Sequence, residues 1–151
     1  MRLVVQRVTS ASVVAEGEEL GRIGRGALVL VGIAAGDTGE LAERMADKLL
    51  GLRYFEDAEG RTNEPIGAVG GAFLVVSQFT LLADLRRGRR PGFSFAAAPD
   101  LAAALVDRFV ERLTGEGQRV AVGRFGASMA VTLVNDGPFT LVLDSDRDLA
   151  G

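Results

Sequence analysis

Ala72-Phe73-Leu74-Val75-Val76, running directly into Ser77-Gln78-Phe79-Thr80-Leu81, is the stretch on which the reading of this chain turns. The apolar half has the length of a buried strand, and the breaker pair Gly70-Gly71 precedes it. The second half then changes character abruptly, to two hydroxyls, an amide and a ring. Backbone is rigid up to a strand end and accessible just after it, so strand ends are where scaffolds present chemistry. The same residues also fit a strand edge carrying ordinary solvated Ser and Thr. Taken alone, the stretch leaves both readings open.

Toward the N-terminus, Leu3-Val4-Val5 and Ala11-Ser12-Val13-Val14 predict two strands joined near Thr9-Ser10, with a turn at Glu16-Gly17. A short third strand is expected over Glu19 to Ile23. The nearly all-apolar run Ala27 to Ile33 predicts a central strand buried on both faces. Asp37-Thr38-Gly39-Glu40 has the form of a capping box with Asp37 as the cap, and Leu41, Met45 and Leu49 then mark one apolar helix face ending at Gly51. Arg53-Tyr54-Phe55 reads as a short strand and Asp57 to Gly71 as loop.

Toward the C-terminus, Arg86-Arg87-Gly88-Arg89-Arg90 places four arginines in five positions. It reads either as a solvated charge run or as a clamp on phosphates, which suits arginine geometry. Phe93-Ser94-Phe95 follows as a means of packing that loop down. Pro99 stands at the first turn of a second helix with Leu101, Leu105, Phe109 and Leu113 as its stripe. Strands are expected over 119–122, 129–134 and 139–143, with a turn through Asn135-Asp136-Gly137-Pro138, and 144–151 is expected to be a frayed polar tail. Together these elements predict one mixed α/β domain over residues 1–151, predominantly antiparallel sheet with a layer of two helices. They do not alternate as βαβαβ, and no glycine-rich run fits a dinucleotide or P-loop fingerprint.

Composition narrows the chemistry. The chain is 48% hydrophobic and 25% charged, with a net charge of −3. That balance argues against a general electrostatic grip on nucleic acid, though not against a local basic patch. Of 17 basic residues only Lys48 is lysine. Cysteine and histidine are both absent. Disulfides, thiolate nucleophiles, Cys/His zinc sites and a Ser-His-Asp triad are therefore excluded. Hydrolysis here has to use a carboxylate, an activated water, oriented backbone groups or a group on the substrate. Asp and Glu are scattered, so no metal and no cofactor is expected. The N-terminal residues lack a signal-peptide apolar region, and the longest apolar run is too short to span a bilayer, so the expectation is a soluble cytoplasmic protein without membrane attachment.

Ser77-Gln78-Phe79-Thr80-Leu81 and Asn135-Asp136-Gly137-Pro138-Phe139-Thr140 together resemble the two signature motifs of the D-aminoacyl-tRNA deacylases. Gln6-Arg7-Val8, Gly123-Arg124-Phe125-Gly126-Ala127 and Met129 also look like that family, and the resemblance runs in order from Met1 to about Leu143. It implies a homodimer, with active sites at the interface, that hydrolyses the ester between a D-amino acid and the 3′-terminal adenosine of tRNA. It implies as well that glycine mischarged on tRNA-Ala is accepted and that the activity serves proofreading in translation. It further implies that Gly137-Pro138 is a cis peptide reaching into the partner's active site, where a main-chain oxygen takes the space an L side chain needs. Arg7 matches the arginine that holds that segment. On the residues alone, Gly-Pro is an ordinary turn and Arg7 a surface arginine on a strand.

For the chemistry, the resemblance points to Ser77, Gln78, Phe79 and Thr80 as the catalytic group, with Phe125 and Met129 flanking the adenine. Thr80 as nucleophile lacks a base, and Asp84 is a carboxylate that nothing in the sequence places. The preferred scheme has the terminal ribose 2′-OH assist while the Phe79 and Thr80 amides stabilise the developing charge. Two other classes stay open: an esterase or amidase for small molecules, and a non-catalytic RNA-binding scaffold.

Overall fold

A computed structural model describes residues 1–150. β1 (Arg2–Ala15) is the spine of the sheet. β8 (Ala130–Asp144) runs antiparallel along one edge of it; the other edge is shared by β3 (Gly26–Gly32), opposite residues 2–8, and β2 (Glu18–Ile23), opposite residues 11–15. β3 is followed by β6 (Ala72–Ser77) and β7 (Arg119–Val122), each parallel to its neighbour. The sheet is therefore mixed, with its antiparallel pairs around β1. It curls until Gly21 of β2 meets β7; a Cβ there would lie 3.1 Å from the Ala121 Cβ.

The curl makes two cores. Leu3, Val5, Val29, Val31, Phe73 and Val75 face α1 (Gly39–Gly51) and α2 (Pro99–Gly115), while Val8, Val13, Leu28, Leu74 and Val76 fill the inside of the curl. β3 and β6 contribute alternate residues to each, which is why both read as unbroken apolar runs. α1 and α2 lie together on the outer face as the expected helix layer.

Several local expectations are corrected. β1 is one strand; the apparent break at Thr9-Ser10 is a register shift between Val8 and Ser10 against β8. That bulge flips the alternation, so that Ala11 and Val13 join Val8 inside the curl. The α1 cap is Thr38, whose hydroxyl accepts from the Leu41 N–H, and not Asp37. The Asp37 carboxylate accepts instead from the Ala34 N–H and the Met1 amino group. Leu101 is exposed; Ala102 takes its place on the α2 stripe with Leu105, Phe109 and Leu113. Tyr54 precedes β4 (Phe55–Glu56), which pairs with β5 (Thr62–Glu64) inside the stretch read as loop. The two strands expected over 129–134 and 139–143 are one strand, β8. The residues expected to fray instead form a short α3 (Ser145–Asp148), with the Ser145 hydroxyl buried against the Met1 amino group; residue 151 lies outside the described residues. Among the described residues, no helix is long and apolar enough to cross a membrane.

Candidate active site

The parallel strands β3, β6 and β7 end on one side of the molecule, and an apolar pocket of about 560 Å³ opens there. Pockets at the carboxyl ends of parallel strands follow from the way such strands release their backbone groups into a common crevice. Ser77 and Gln78, at the end of β6, and Phe79 line it from one side; Phe125 and Met129 line it from the loop after β7. Residues far apart in sequence are thus brought together around one pocket.

Phe79–Leu82 form a single 3₁₀ turn over the end of β3. Gly32 makes that approach feasible, since a Cβ there would stand 2.5 Å from the Leu82 Cδ2 and 3.1 Å from the Gln78 carbonyl oxygen. Gln78 is anchored by its N–H to the Val31 carbonyl at 2.8 Å. Its side-chain amide donates to the Thr80 hydroxyl in a short hydrogen bond. Thr80 is exposed and follows Phe79 on this turn, but it does not itself line the pocket. No carboxylate contacts its hydroxyl among the described residues, so nothing is in place to take its proton. The Phe79 and Thr80 amides likewise donate to no protein acceptor among the described residues.

Asp84 is accounted for. Both its oxygens accept from the Arg86 guanidinium at 2.8 Å, and the Arg86 side chain and N–H hold its carboxyl down to about 2. A carboxylate so held is a weak base, and its work is to shape the loop that follows.

The second motif forms a separate constellation. Val8 pairs with Asn135 and Gln6 with Thr140, so that Arg7 alone faces the bulge Asp136–Phe139. The Gly137–Pro138 peptide within this bulge is cis. Arg7 is buried, at 6% exposure, so it is not a surface arginine. Its Nη1 donates to the Tyr54 carbonyl at 2.8 Å and its Nε to the Asp136 carbonyl at 3.1 Å, with the Asp136 carboxylate 3.2 Å away. The guanidinium lies 4.5 Å over the Phe139 ring, which stacks on Tyr54. Asn135 Nδ2 bridges the neck of the bulge, donating to the Arg7 carbonyl at 2.9 Å and the Phe139 carbonyl at 3.0 Å. Neither Gly137 nor Pro138 lines the pocket of its own chain.

Sequence reasoning missed some of these parts. Tyr54 and Phe139 support Arg7 from elements distant in sequence; Phe139 lies in the second motif but nothing there assigns it this contact, and no local pattern marks Tyr54. Phe93 closes one wall of the pocket by edge-on contact with Phe79, centroids 4.9 Å apart. Gly123 admits Met129 to the pocket, because a Cβ would stand 2.7 Å from its Sδ. The absence of a side chain next to Arg124-Phe125 is a signal that is readable only once the contact is known.

A pocket at strand ends, with an anchored hydroxyl and unused amides but no imidazole or thiol, has the parts that a hydrolase relying on positioned backbone donors would use. Against known proteins the chain is more particular. Residues 4–144 match the family model described as D-Tyr-tRNA(Tyr) deacylase. The D-aminoacyl-tRNA deacylase of Roseiflexus castenholzii is 54% identical over 145 residues, 96% of this chain and 92% of that protein. That of Desulfitobacterium hafniense is 53% identical over 148 residues, 98% of this chain and 99% of that protein. Among solved structures, one described as c-Myc DNA Unwinding Element Binding Protein superposes with a TM-score of 0.90 at 41% identity, covering 96% of this chain and 99% of its own. Another, described as a probable eukaryotic D-amino acid tRNA deacylase, shares the fold with a TM-score of 0.82 at 21% identity, covering 94% and 97%. The chain belongs to the D-aminoacyl-tRNA deacylase family.

Proposed function

We propose that this enzyme hydrolyses the ester of D-aminoacyl-tRNA, and of glycine mischarged on tRNA-Ala, in the cytoplasm, as a proofreading homodimer with its active sites at the subunit interface. The observation that carries the reading is the pair of amides at Phe79 and Thr80, unused among the described residues, on the turn whose Phe79 lines an apolar pocket. Phe125 and Met129 give that pocket walls suited to an unpaired adenine, which proteins hold by stacking and apolar contact. With the adenosine seated, the ester carbonyl comes to the strand-end turn. Each amide donor to the developing oxyanion is worth about 2.7–4 kcal/mol in a dry site.

Thr80 has an amide partner and no base, so the proton transfer falls to the ribose 2′-OH and its water. Ser77 and Gln78 then position the substrate and fix the turn. Gly137 and Pro138, held by Arg7, supply the chiral test from the partner subunit, where a main-chain oxygen meets an L side chain and leaves a D side chain or glycine untouched. In support, the elbow stands apart from its own pocket, and among the described residues β8 pairs only with β1, leaving Val134 and Val142 exposed for a second protomer.

The test is deacylation of D-Tyr-tRNA beside L-Tyr-tRNA. The D form is hydrolysed and the L form spared; equal rates, or turnover only of free D-amino-acid esters, refute the proposal. Thr80→Ala retains substantial activity and a terminal 2′-deoxyadenosine abolishes most of it; the reverse pattern restores Thr80 as the nucleophile.

A further inference from the structure

The basic loop after the catalytic turn is built to leave three of its four arginines free. Its neck is closed by paired hydrogen bonds, Asp84 N–H to the Gly92 carbonyl at 2.7 Å and Gly92 N–H to the Asp84 carbonyl at 3.0 Å. Arg86 is used up inside the loop: it forks onto Asp84 with two bonds of 2.8 Å and lies 5.4 Å over the Phe95 ring. The tip turns at Gly88, with φ of 69°.

Arg87, Arg89 and Arg90 are different. Among the described residues they alone of the arginines have no ion pair, no hydrogen bond and no aromatic partner. All are exposed. In a chain of net charge −3, with most arginines matched to carboxylates or carbonyls, three unmatched ones fall together on the loop that leads into the pocket-lining Phe93.

The loop is also fixed to the pocket. Its C-terminal foot, Phe93 to Ala97, is stitched to the end of β3 by the Ala35 N–H to the Phe95 carbonyl at 3.0 Å and the Ala97 N–H to the Ile33 carbonyl at 2.9 Å. Phe93 and Ala97 line the pocket, as does Phe79, which Phe93 touches. The free guanidinium groups are therefore carried on a frame whose base is the pocket wall.

From this placement we infer that Arg87, Arg89 and Arg90 grip the phosphates of the RNA strand leading away from the seated terminal adenosine. The inference rests on the reading that the pocket takes that adenosine. Arginine suits the role because its planar fork meets phosphate oxygens in pairs. These contacts act on the backbone and are blind to sequence, so they serve all tRNAs alike.

The experiment compares wild type with the triple variant Arg87→Gln/Arg89→Gln/Arg90→Gln on two substrates, D-tyrosyl-tRNA and D-tyrosyl-adenosine, which has no phosphate. Binding of uncharged tRNA is measured in parallel as a function of salt. Losing three phosphate contacts on a single strand should flatten the slope of log affinity against log salt by about 2. Between about 50 and 200 mM salt, tRNA binding by wild type should then fall roughly 20-fold more than that of the variant. The variant should keep wild-type kcat/KM on D-tyrosyl-adenosine, and the corresponding triple Lys variant should keep most of the salt slope. An unchanged slope in the Gln variant overturns the inference, and so does an equal loss on both substrates or a change in subunit assembly. Failure of the wild type to hydrolyse either D substrate instead refutes the functional reading, while the binding arm still decides the role of the loop.

Discussion

Replacing Arg7 with methionine keeps most of the side-chain volume and removes the charge and every donor. Arg7 donates from a charged group to the buried Tyr54 carbonyl, a bond worth about 1.5–3 kcal/mol, and its loss leaves that acceptor unsatisfied. The bond to the Asp136 carbonyl is partly exposed and adds about 1 kcal/mol. The Asp136 carboxylate is 40% exposed and rehydrates when freed, so the ion pair itself adds about 1 kcal/mol at most. Methionine retains contact with the Phe139 ring, so little of the face-on interaction is forfeited. The total is about 2.5–5 kcal/mol. For a domain of this size that lowers Tm by roughly 10 °C. Urea denaturation at constant m and a thermal melt measure the change, and the ratio of D- to L-Tyr-tRNA hydrolysis measures the elbow. Arg7→Lys, which keeps the charge but not the fork, should fall between the two. A Tm within about 2 °C of wild type, far below the shift this arithmetic requires, together with an unchanged D/L ratio, would refute the claim that Arg7 holds the Gly137–Pro138 bulge.

Gly137→Ala places a Cβ 2.4 Å from the Asn135 Oδ1, and Asn135 cannot yield without releasing the Arg7 and Phe139 carbonyls. Weakened rejection of L-Tyr-tRNA with a modest fall in Tm is the expected result, read from paired deacylation assays. Gly32→Ala pushes a Cβ against Leu82 and the Gln78 carbonyl; overpacking of this kind costs about 1–3 kcal/mol, and kcat should drop because the Phe79 and Thr80 amides move. The Asp84 carboxyl is held below its ordinary value of 3.8, to about 2, by the Arg86 side chain and N–H. A depressed carboxylate supports the folded loop above its ordinary value and loses that support as pH falls toward about 2, so the Asp84–Arg86 fork is lost in that window and holds at neutral pH, while the backbone bonds of the neck do not titrate. NMR titration of Asp84 should show this midpoint, and Arg86→Gln should return it toward 3.8.

Much of this protein was readable before its coordinates. The unbroken apolar runs of β3 and β6, the four-residue spacing in α1 and the proline opening α2 state local periods, and local periods survive folding. The absence of histidine and cysteine likewise settled which chemistries are closed, since composition needs no geometry. What only tertiary structure decided is where chain-distant groups meet. A bulge at Thr9 looks like a strand break because it reverses the side-chain alternation, and only the ladder to β8 shows that the strand continues. Asp37 has the spacing of a cap, yet folding brings the Met1 amino group to it, and Thr38 caps in its stead. Arg7 is polar and so reads as exposed; it is buried because the Tyr54 and Asp136 carbonyls and the Phe139 ring converge on it from three segments. Desolvating a guanidinium is tolerable only when its donors are matched, and that matching is a property of the packed chain, which no window of sequence contains.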